Sequence, residues 1–182
     1  MYLLPLYHPE EPTPDDRGWK FFIICNDKDG NESEFLNEIA GLGENRIDDF
    51  YSMLLQLTRL ARQGKPWEVV IPDKKRMHDV GEFTLHHVSG KTNKEKVWEF
   101  RHADLRILWC YGGPGRIIVF GRILSKDQKK INQADVSNTG TVMNAYQTAY
   151  ENGQIQIAGG EQNERAFGKL FPKSEAKPEV QK

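Results

Sequence analysis

Positively charged residues interrupt the most apolar part of this sequence and then follow it directly. The residues concerned are Arg101, Arg106, Arg122, Lys126, Lys129 and Lys130. A guanidinium group is a rigid fork of donors that matches the oxygens of a phosphate group. Clustered arginine and lysine also attract the polyanionic backbone of a nucleic acid. A surface on which these residues converge would be suited to bind phosphodiesters.

The charge of the chain is divided unevenly along its length. Residues 1–50 contain twelve acidic and four basic residues, whereas residues 91–130 contain ten basic and four acidic residues, although the net charge is only −1. A charge split of this kind steers anions towards one face. It also suggests that the acidic N-terminal extension lies over the basic face and mutes it in the free protein.

Length and composition limit the class of protein. A chain of 182 residues with 38% hydrophobic content is long enough for one domain with a real core. We expect an N-terminal extension at 1–17, a domain at 18–153 and a polar tail at 154–182. Cys25 and Cys110 lie in predicted strands without metal-ligand spacing, which predicts buried free thiols. We expect a cytoplasmic protein with no metal, no cofactor and no membrane segment.

Hydrophobic periodicity predicts the order of the elements. A buried strand at 19–26 precedes a short helix capped by Asn31 and a longer helix at 44–64. Residues 67–71 are predicted to be a short strand or a loop edge, and four strands joined by short links span 82–124. A weaker helix follows at 133–153. The predicted fold is α+β, an antiparallel sheet with two N-terminal helices on one face and a C-terminal helix.

Strand alternation places Arg101 and Arg106 on the less apolar side of the sheet, whereas it places Arg122 on the side of Ile118 and Phe120. Arg101 shares a side with Glu99, and Arg106 shares a side with Leu108 and Cys110. Alternation leaves the register between strands open. In one interpretation these arginines form a phosphate cradle, and in the other they pair with Glu99 and Asp104 on a solvated face.

Three short motifs in this region resemble those of the RelE/HigB superfamily of toxins, especially its phage-derived HigB-like branch. They are Trp98-Glu99-Phe100-Arg101, Arg106-Ile107-Leu108-Trp109 and Ser125-Lys126-Asp127-Gln128-Lys129. The strand and helix pair at the start of the chain are similar to the opening of that family. The resemblance covers roughly residues 19–150. It implies the toxin of a type II toxin–antitoxin module, with a RelE-like fold.

The resemblance also implies an activity, a metal-independent endoribonuclease that cuts messenger RNA in the ribosome. In that reaction the 2′-OH of one nucleotide attacks the adjacent phosphate. The partners implied are a cognate antitoxin, the ribosome and mRNA. Two alternatives remain open: a ParE-like inhibitor of DNA gyrase, and a non-catalytic, phage-derived binding protein on the same scaffold.

The family's activity assigns roles to residues of this chain. The implied catalytic residues are Arg101 and Arg106, which hold the phosphate, and Lys126 and Lys129, which add charge or transfer a proton. The implied RNA-binding residues are Arg122, Lys130, Lys96, His102 and Tyr146. Of these, His102 and Tyr146 are further candidates for proton transfer.

Overall fold

The computed structural model describes residues 1–113, 115–125 and 131–159. The strands of this part of the chain are β1 (Tyr2–Pro5), β2 (Lys20–Cys25), β3 (Met77–His86), β4 (Thr92–His102), β5 (Leu105–Tyr111), β6 (Ile117–Ser125) and β7 (Gln156–Ile157). The helices are α1 (Glu34–Ala40), α2 (Glu44–Ala61), α3 (Trp67–Val70) and α4 (Gln133–Glu151).

The described strands form one seven-stranded sheet in the order β3-β4-β5-β6-β2-β1-β7. Strands β3 to β6 form the predicted antiparallel meander, but β2 runs parallel to β6 and β7 runs parallel to β1. The α+β class is therefore confirmed, whereas a sheet that is antiparallel throughout is wrong. The first three helices connect β2 to β3. In the sheet, β2 lies beside β6, the last strand of the meander, and not beside β3, the first.

Helices cover both faces of the sheet. On one face, which we call the α2 face, Phe100, Ile107 and Trp109 pack in a core with residues of α1, α2 and α3. On the other, which we call the α4 face, Val97 and Leu108 pack with residues of α4. Since neighbouring residues of a strand point to opposite faces, this division assigns faces along the meander, except that the order reverses at register shifts at Asp79/Gly81 and Leu108/Trp109.

Helix α2 follows the predicted apolar stripe. Phe50, Met53, Leu54, Leu57 and Ala61 are all at most 3% exposed, and their spacing of three or four residues places them on one side of the helix. This side covers the α2 face of the sheet.

Residues 67–70 form a short helix, so the prediction of a strand or loop edge there is wrong. Pro66 precedes the first turn, where the missing N–H of a proline costs little. Trp67 is fully buried, with its ring 5.2 Å from that of Phe100 and 5.7 Å from that of Phe21. Tertiary packing of the indole ring therefore overrides the β-propensity of the local sequence.

The predicted N-cap of α1 is also wrong. Ser33, not Asn31, precedes the first helical residue, and it has extended backbone angles. Asn31 donates its backbone N–H to Asp27 Oδ2 in the preceding turn. The side chain of Asp27 thus organises the turn, and the helix begins two residues later.

Helix α4 begins with a capping box. The side chain of Asn132 accepts from the backbone N–H of Asp135, and Asp135 accepts from that of Asn132. This reciprocal pair satisfies two of the orphan donors at the helix start. It explains a sharp start for a helix whose apolar periodicity is weak.

Two glycines let α4 approach the sheet closely. A Cβ atom on Gly121 of β6 would lie 2.6 Å from the methyl carbon of Thr139 and 3.2 Å from its Cα. A Cβ atom on Gly140 of α4 would lie 2.8 Å from Phe83. Thr139 is held in place because its hydroxyl donates to the carbonyl of Asp135.

We expect Gly121→Ala to destabilise the fold by about 1–3 kcal/mol, because the added methyl overpacks the contact between α4 and β6. Gly41→Ala is the matched control, since its Cβ would meet only ordinary contacts at 3.5 Å and its φ is −81°. Urea denaturation measures both free energies of unfolding. Equal values for the two variants would contradict the close approach as described.

The acidic N-terminal segment lies on the α2 side of the molecule. Strand β1 pairs with β2, and Glu11 then bonds Arg59 of α2 at 2.6 Å. The ammonium group of Lys20 donates to the carbonyls of Pro14 and Asp15, and its burial lowers the pKa of this lysine. The prediction that this segment covers the basic face is therefore wrong, because the arginines at 101 and 106 point to the opposite face.

Both cysteines are buried free thiols, as predicted. Burial raises the pKa of the Cys25 thiol to about 11 and raises that of Cys110 as well. The two side chains therefore stay protonated and act as small apolar groups. No helix in the described ranges is long and apolar enough to cross a membrane.

The tip of the β3–β4 hairpin is tied to the end of α4. Glu151 accepts from the backbone N–H of Val88 at 2.6 Å and from the amide of Gln147 at 2.8 Å, and its Oε1 lies 2.6 Å from His87 Nδ1. The hydrogen bond from Gln147, followed by those from His87 and Val88, lowers the pKa of the Glu151 carboxyl to about 2.

We expect this tie to weaken in acid. Because the folded pKa of Glu151 lies below its ordinary value of 4.5, its stabilisation is present above pH 4.5 and is lost as the pH falls towards about 2. The free energy of unfolding, measured against pH, should differ most between wild type and Glu151→Gln near pH 6. The free energies of unfolding of the two proteins should converge as the pH falls to 2. A difference of undiminished size at pH 2 would show that the ionised Glu151 carboxylate is not the source of the stabilisation.

Candidate functional site

The register of the meander brings two of the predicted arginines together. Arg101 of β4 and Arg106 of β5 are directly opposite each other across the strand pair. Both alternate with residues of the α2-face core and therefore point to the α4 face. Directly opposed like charges destabilise a sheet, so this pair requires a compensating anion.

Glu99 supplies the anion. Its Oε1 accepts from Arg101 Nε at 2.8 Å and from Arg106 Nη1 at 3.2 Å. The Glu99 side chain is fully buried, and that of Arg106 is only 7% exposed, whereas that of Arg101 is 37% exposed. The carboxylate thus bridges a buried guanidinium and one that reaches solvent.

His78 of β3 completes the cluster. It lies directly opposite Glu99 in the strand register, and its Nε2 is 3.2 Å from Glu99 Oε2. This contact lacks hydrogen-bond alignment, so Oε2 has no hydrogen-bond partner among the described residues. The Nδ1 atom of His78 is likewise buried and without a partner in the described ranges. We call His78, Glu99, Arg101 and Arg106 the arginine cluster.

The arginine cluster carries one positive charge in excess when His78 is neutral, since a single carboxylate faces two guanidinium groups. The excess charge is accessible at Arg101, because Arg106 is enclosed. Arg101 bonds Glu99 through Nε, and neither of its terminal nitrogens donates to the second carboxylate oxygen, Oε2. A guanidinium held in this way is suited to bind an oxyanion such as a phosphate group.

Arg122 lies apart from the arginine cluster, although it points to the same face. The prediction that it shares a side with Ile118 and Phe120 is wrong, because a register shift between β5 and β6 at Leu108/Trp109 reverses the alternation before Arg122. Its guanidinium is 2.8 Å from Glu38 of α1 and 3.1 Å from Asp135 of α4. Glu38 also accepts the backbone N–H of Ile123 at 2.8 Å, at the point where β6 has parted from β2. Arg122 therefore joins three elements, and its charge is neutralised by two carboxylates.

Three further predicted residues do not join the arginine cluster. Lys96 points to the α2 face, where it bonds Asp79 at 3.0 Å and lies over the ring of Trp98. His102 follows Arg101 in β4 and points to the α2 face as well. Tyr146 is fully buried against the turn at Gly112, at the far end of β5 from Arg106, and burial raises its pKa.

The predicted lysines Lys126, Lys129 and Lys130 lie outside the described residues. The last described residue before them is Ser125, which pairs with Leu105 beside Arg106. Their segment therefore begins at the end of the sheet that carries the arginine cluster.

Sequence reasoning missed His78 and the degree to which Glu99 is buried. The alternative interpretation named Glu99 among the acidic partners of these arginines, which agrees with the contacts, but it expected a solvated face. His78 is separated from Glu99 by a hairpin of some twenty residues, and a bulge between Asp79 and Gly81 shifts the register between them. No local pattern reports such a pairing, so only the strand register could reveal it.

Comparisons with family models, curated proteins and solved structures find no match to this chain. No group of three or more His, Cys, Asp or Glu side chains that could hold a metal ion occurs among residues 1–113, 115–125 and 131–159. The interpretation of the site therefore depends on the geometry and charge of the arginine cluster.

Proposed function

We propose that this chain is a RelE/HigB-like toxin that binds RNA at the arginine cluster and cleaves messenger RNA on the ribosome without a metal. The observation that carries the proposal is the aligned pair of arginines sharing one buried carboxylate. It leaves an excess positive charge on the accessible side chain of Arg101. The expected ligand is a phosphodiester of single-stranded RNA.

In this proposal the arginines have different roles. Arg101 contacts the scissile or an adjacent phosphate and stabilises the charge that develops when the 2′-OH attacks. Arg106 and Glu99 are positioning residues, because they are buried and hold the Arg101 side chain. Lys126 and Lys129, whose segment follows Ser125, are the proposed sources of further charge and of proton transfer.

The proposed partners follow from the same surface. RNA and the ribosome would contact the α4 face at the arginine cluster. A cognate antitoxin would neutralise the toxin by covering that end of the face with acidic residues.

A second candidate is a non-catalytic binding protein on the same scaffold. The observation that favours it is the orientation of His78, whose Nε2 faces Glu99 and whose Nδ1 is buried. The side chain as a whole is 33% exposed, but Nε2 lies 3.2 Å from the buried Oε2 of Glu99. The described part of the cluster therefore holds an anion-binding group but does not place a proton acceptor beside it.

Induced expression in a bacterium tests the proposal. Growth arrest accompanied by new 5′ ends in cellular messengers, detected by primer extension, is the expected result. Arrest without RNA cleavage, together with inhibited DNA supercoiling in extracts, would instead identify a gyrase inhibitor. Normal growth with intact messengers and soluble protein would favour the non-catalytic candidate.

A further inference from the structure

The strands β4 and β5 part before either of them ends. Their pairing runs from Trp98 opposite Trp109 to His102 opposite Leu105. Beyond Trp98, residues Thr92–Val97 of β4 pair only with β3 among the described strands, whereas β5 continues to pair with β6 as far as Tyr111. The two strands thus border an open cleft.

The free edge of β4 presents backbone hydrogen-bonding groups to this cleft. The side chain of Asn144 bonds the N–H of His86 at 2.8 Å and the carbonyl of Thr84 at 3.0 Å on the outer edge of β3. The backbone N–H and C=O groups of Thr84 thus face away from β4. In such an antiparallel pair the backbone groups of the partner, Lys94, face away from β3 as well. Those of Lys96, two residues further along β4, face the same way. The N–H and C=O groups of both lysine residues therefore face the cleft.

The cleft has two chemically different walls. It measures about 1110 Å³ including the part open to solvent. On the α4 side its lining includes the apolar residues Phe83, Leu85, Cys110 and Met143, together with the polar residues Asn93, Glu95 and Gln147. On the α2 side it is lined by Lys94, Lys96, Trp98 and Tyr111.

We infer that this cleft binds an extended polypeptide segment of a partner protein, in which apolar and acidic residues alternate. The segment would add a strand to the edge of β4 at Lys94 and Lys96. Its apolar side chains would enter the α4 side of the cleft. Its carboxylates would face the side chains of Lys94, which donates to the neutral hydroxyl of Thr84, and of Lys96, where they would compete with Asp79. The inference is independent of the proposed RNA cleavage, because none of these residues belongs to the arginine cluster.

Charge complementarity selects this occupant over a second copy of the chain. If two β4 edges paired with each other, the lysines of both copies would converge, and like charges on paired strands are unfavourable. Lysine on an exposed edge is a common protection against such self-pairing. A segment that offers carboxylates at the same positions removes this repulsion.

The cleft is held open in advance. The tie between Glu151, His87 and Val88 fixes the hairpin tip to α4, so the free edge of β4 does not need to be ordered on binding. A preformed edge lowers the conformational cost of adding a strand.

The test uses the full chain and a synthetic, end-capped peptide of alternating valine and glutamate. We expect saturable binding by calorimetry, with slowed hydrogen exchange at the amides of Lys94 and Lys96. Lys94→Pro removes an N–H that faces the cleft and leaves the pairing with β3 intact, so it should weaken binding about tenfold. The double charge reversal Lys94→Glu with Lys96→Glu should also weaken it at least tenfold. Lys74→Glu, in the exposed 72–76 loop, is the charge control.

Several outcomes would overturn the inference. These are absence of binding, equal binding of a valine–lysine peptide, unchanged exchange at Lys94 and Lys96, or a concentration-dependent dimer protected at the same amides. Displacement of the peptide by single-stranded RNA, with NMR chemical-shift changes confined to Trp98 and Tyr111, would assign the cleft to nucleic acid instead. Far-UV circular dichroism of Lys94→Pro distinguishes lost binding from lost folding, and the charge reversal provides a second variant.

Discussion

The substitution Glu99→Gln should lower the free energy of unfolding by about 3–5 kcal/mol, because breaking a buried ion pair leaves an uncompensated buried charge. Arg106 would then be enclosed without an anion, directly opposite a second guanidinium. Removing the carboxylate therefore adds repulsion between the arginines to the desolvation cost of Arg106. This is the largest single effect on stability that we expect from the described residues.

Urea denaturation of the purified protein measures this effect. Glu95→Gln is the matched control, since Glu95 lies on the same strand and the same face but is exposed, and its free energy should change by no more than about 0.5 kcal/mol. A combined Glu99→Leu and Arg106→Met variant should recover most of the loss, because replacing a whole buried pair by apolar groups is often neutral. A loss below about 1 kcal/mol for Glu99→Gln would show that the Glu99 carboxylate does not stabilise the two guanidinium groups.

Arg101→Ala should weaken RNA binding about 10- to 100-fold and relieve growth arrest, because it removes the charged donor that reaches solvent. The fold should remain, since Arg106 keeps its own bond to Glu99 and the exposed side chain of Arg101 adds at most about 1 kcal/mol of stability. Arg101→Lys should lie between wild type and Arg101→Ala, because it keeps the charge but loses the planar fork of donors.

Arg62→Ala is the control for this experiment. It removes the same charge from an exposed arginine of the α2 side, whose contact with Glu11 is 3.5 Å long. Fluorescence anisotropy with a single-stranded RNA oligonucleotide at two salt concentrations measures the binding. If both variants lose RNA binding equally, the interaction is a general charge effect. If Arg101→Ala retains binding and arrest, the proposed function is excluded at this site.

The elements with strong local patterns were predicted correctly. The apolar stripe of α2 and the four strands of the meander follow from side-chain spacing, which acts over a few residues. The buried thiols of Cys25 and Cys110 also follow from their place in apolar strands. The residues of α3 had a strand-like composition, but Pro66 and the burial of Trp67 among other aromatic rings favour a helix there.

The sheet and the site could be predicted only in part. Parallel pairing of β2 with β6 joins segments that are about a hundred residues apart, and no short pattern records it. The faces of Arg101 and Arg106 followed from alternation, but the face of Arg122 depends on a bulge between β5 and β6. The contact of His78 with Glu99 depends on a second bulge and on the strand register. The lysines predicted to complete the site lie outside the described residues, so their placement stays a prediction.

Side-chain types and their spacing were sufficient to establish most of the helices and strands, which residues share a face within an unbulged strand, and that positive charge is concentrated in residues 91–130. Local sterics and hydrophobic periodicity decide these features within a few residues. Tertiary structure alone decided that two arginines share one buried carboxylate, that Arg122 joins α1 to α4, and that β4 keeps a free edge. Each of these depends on strand register and on contacts between distant segments, where the energy of a pairing belongs to neither segment separately.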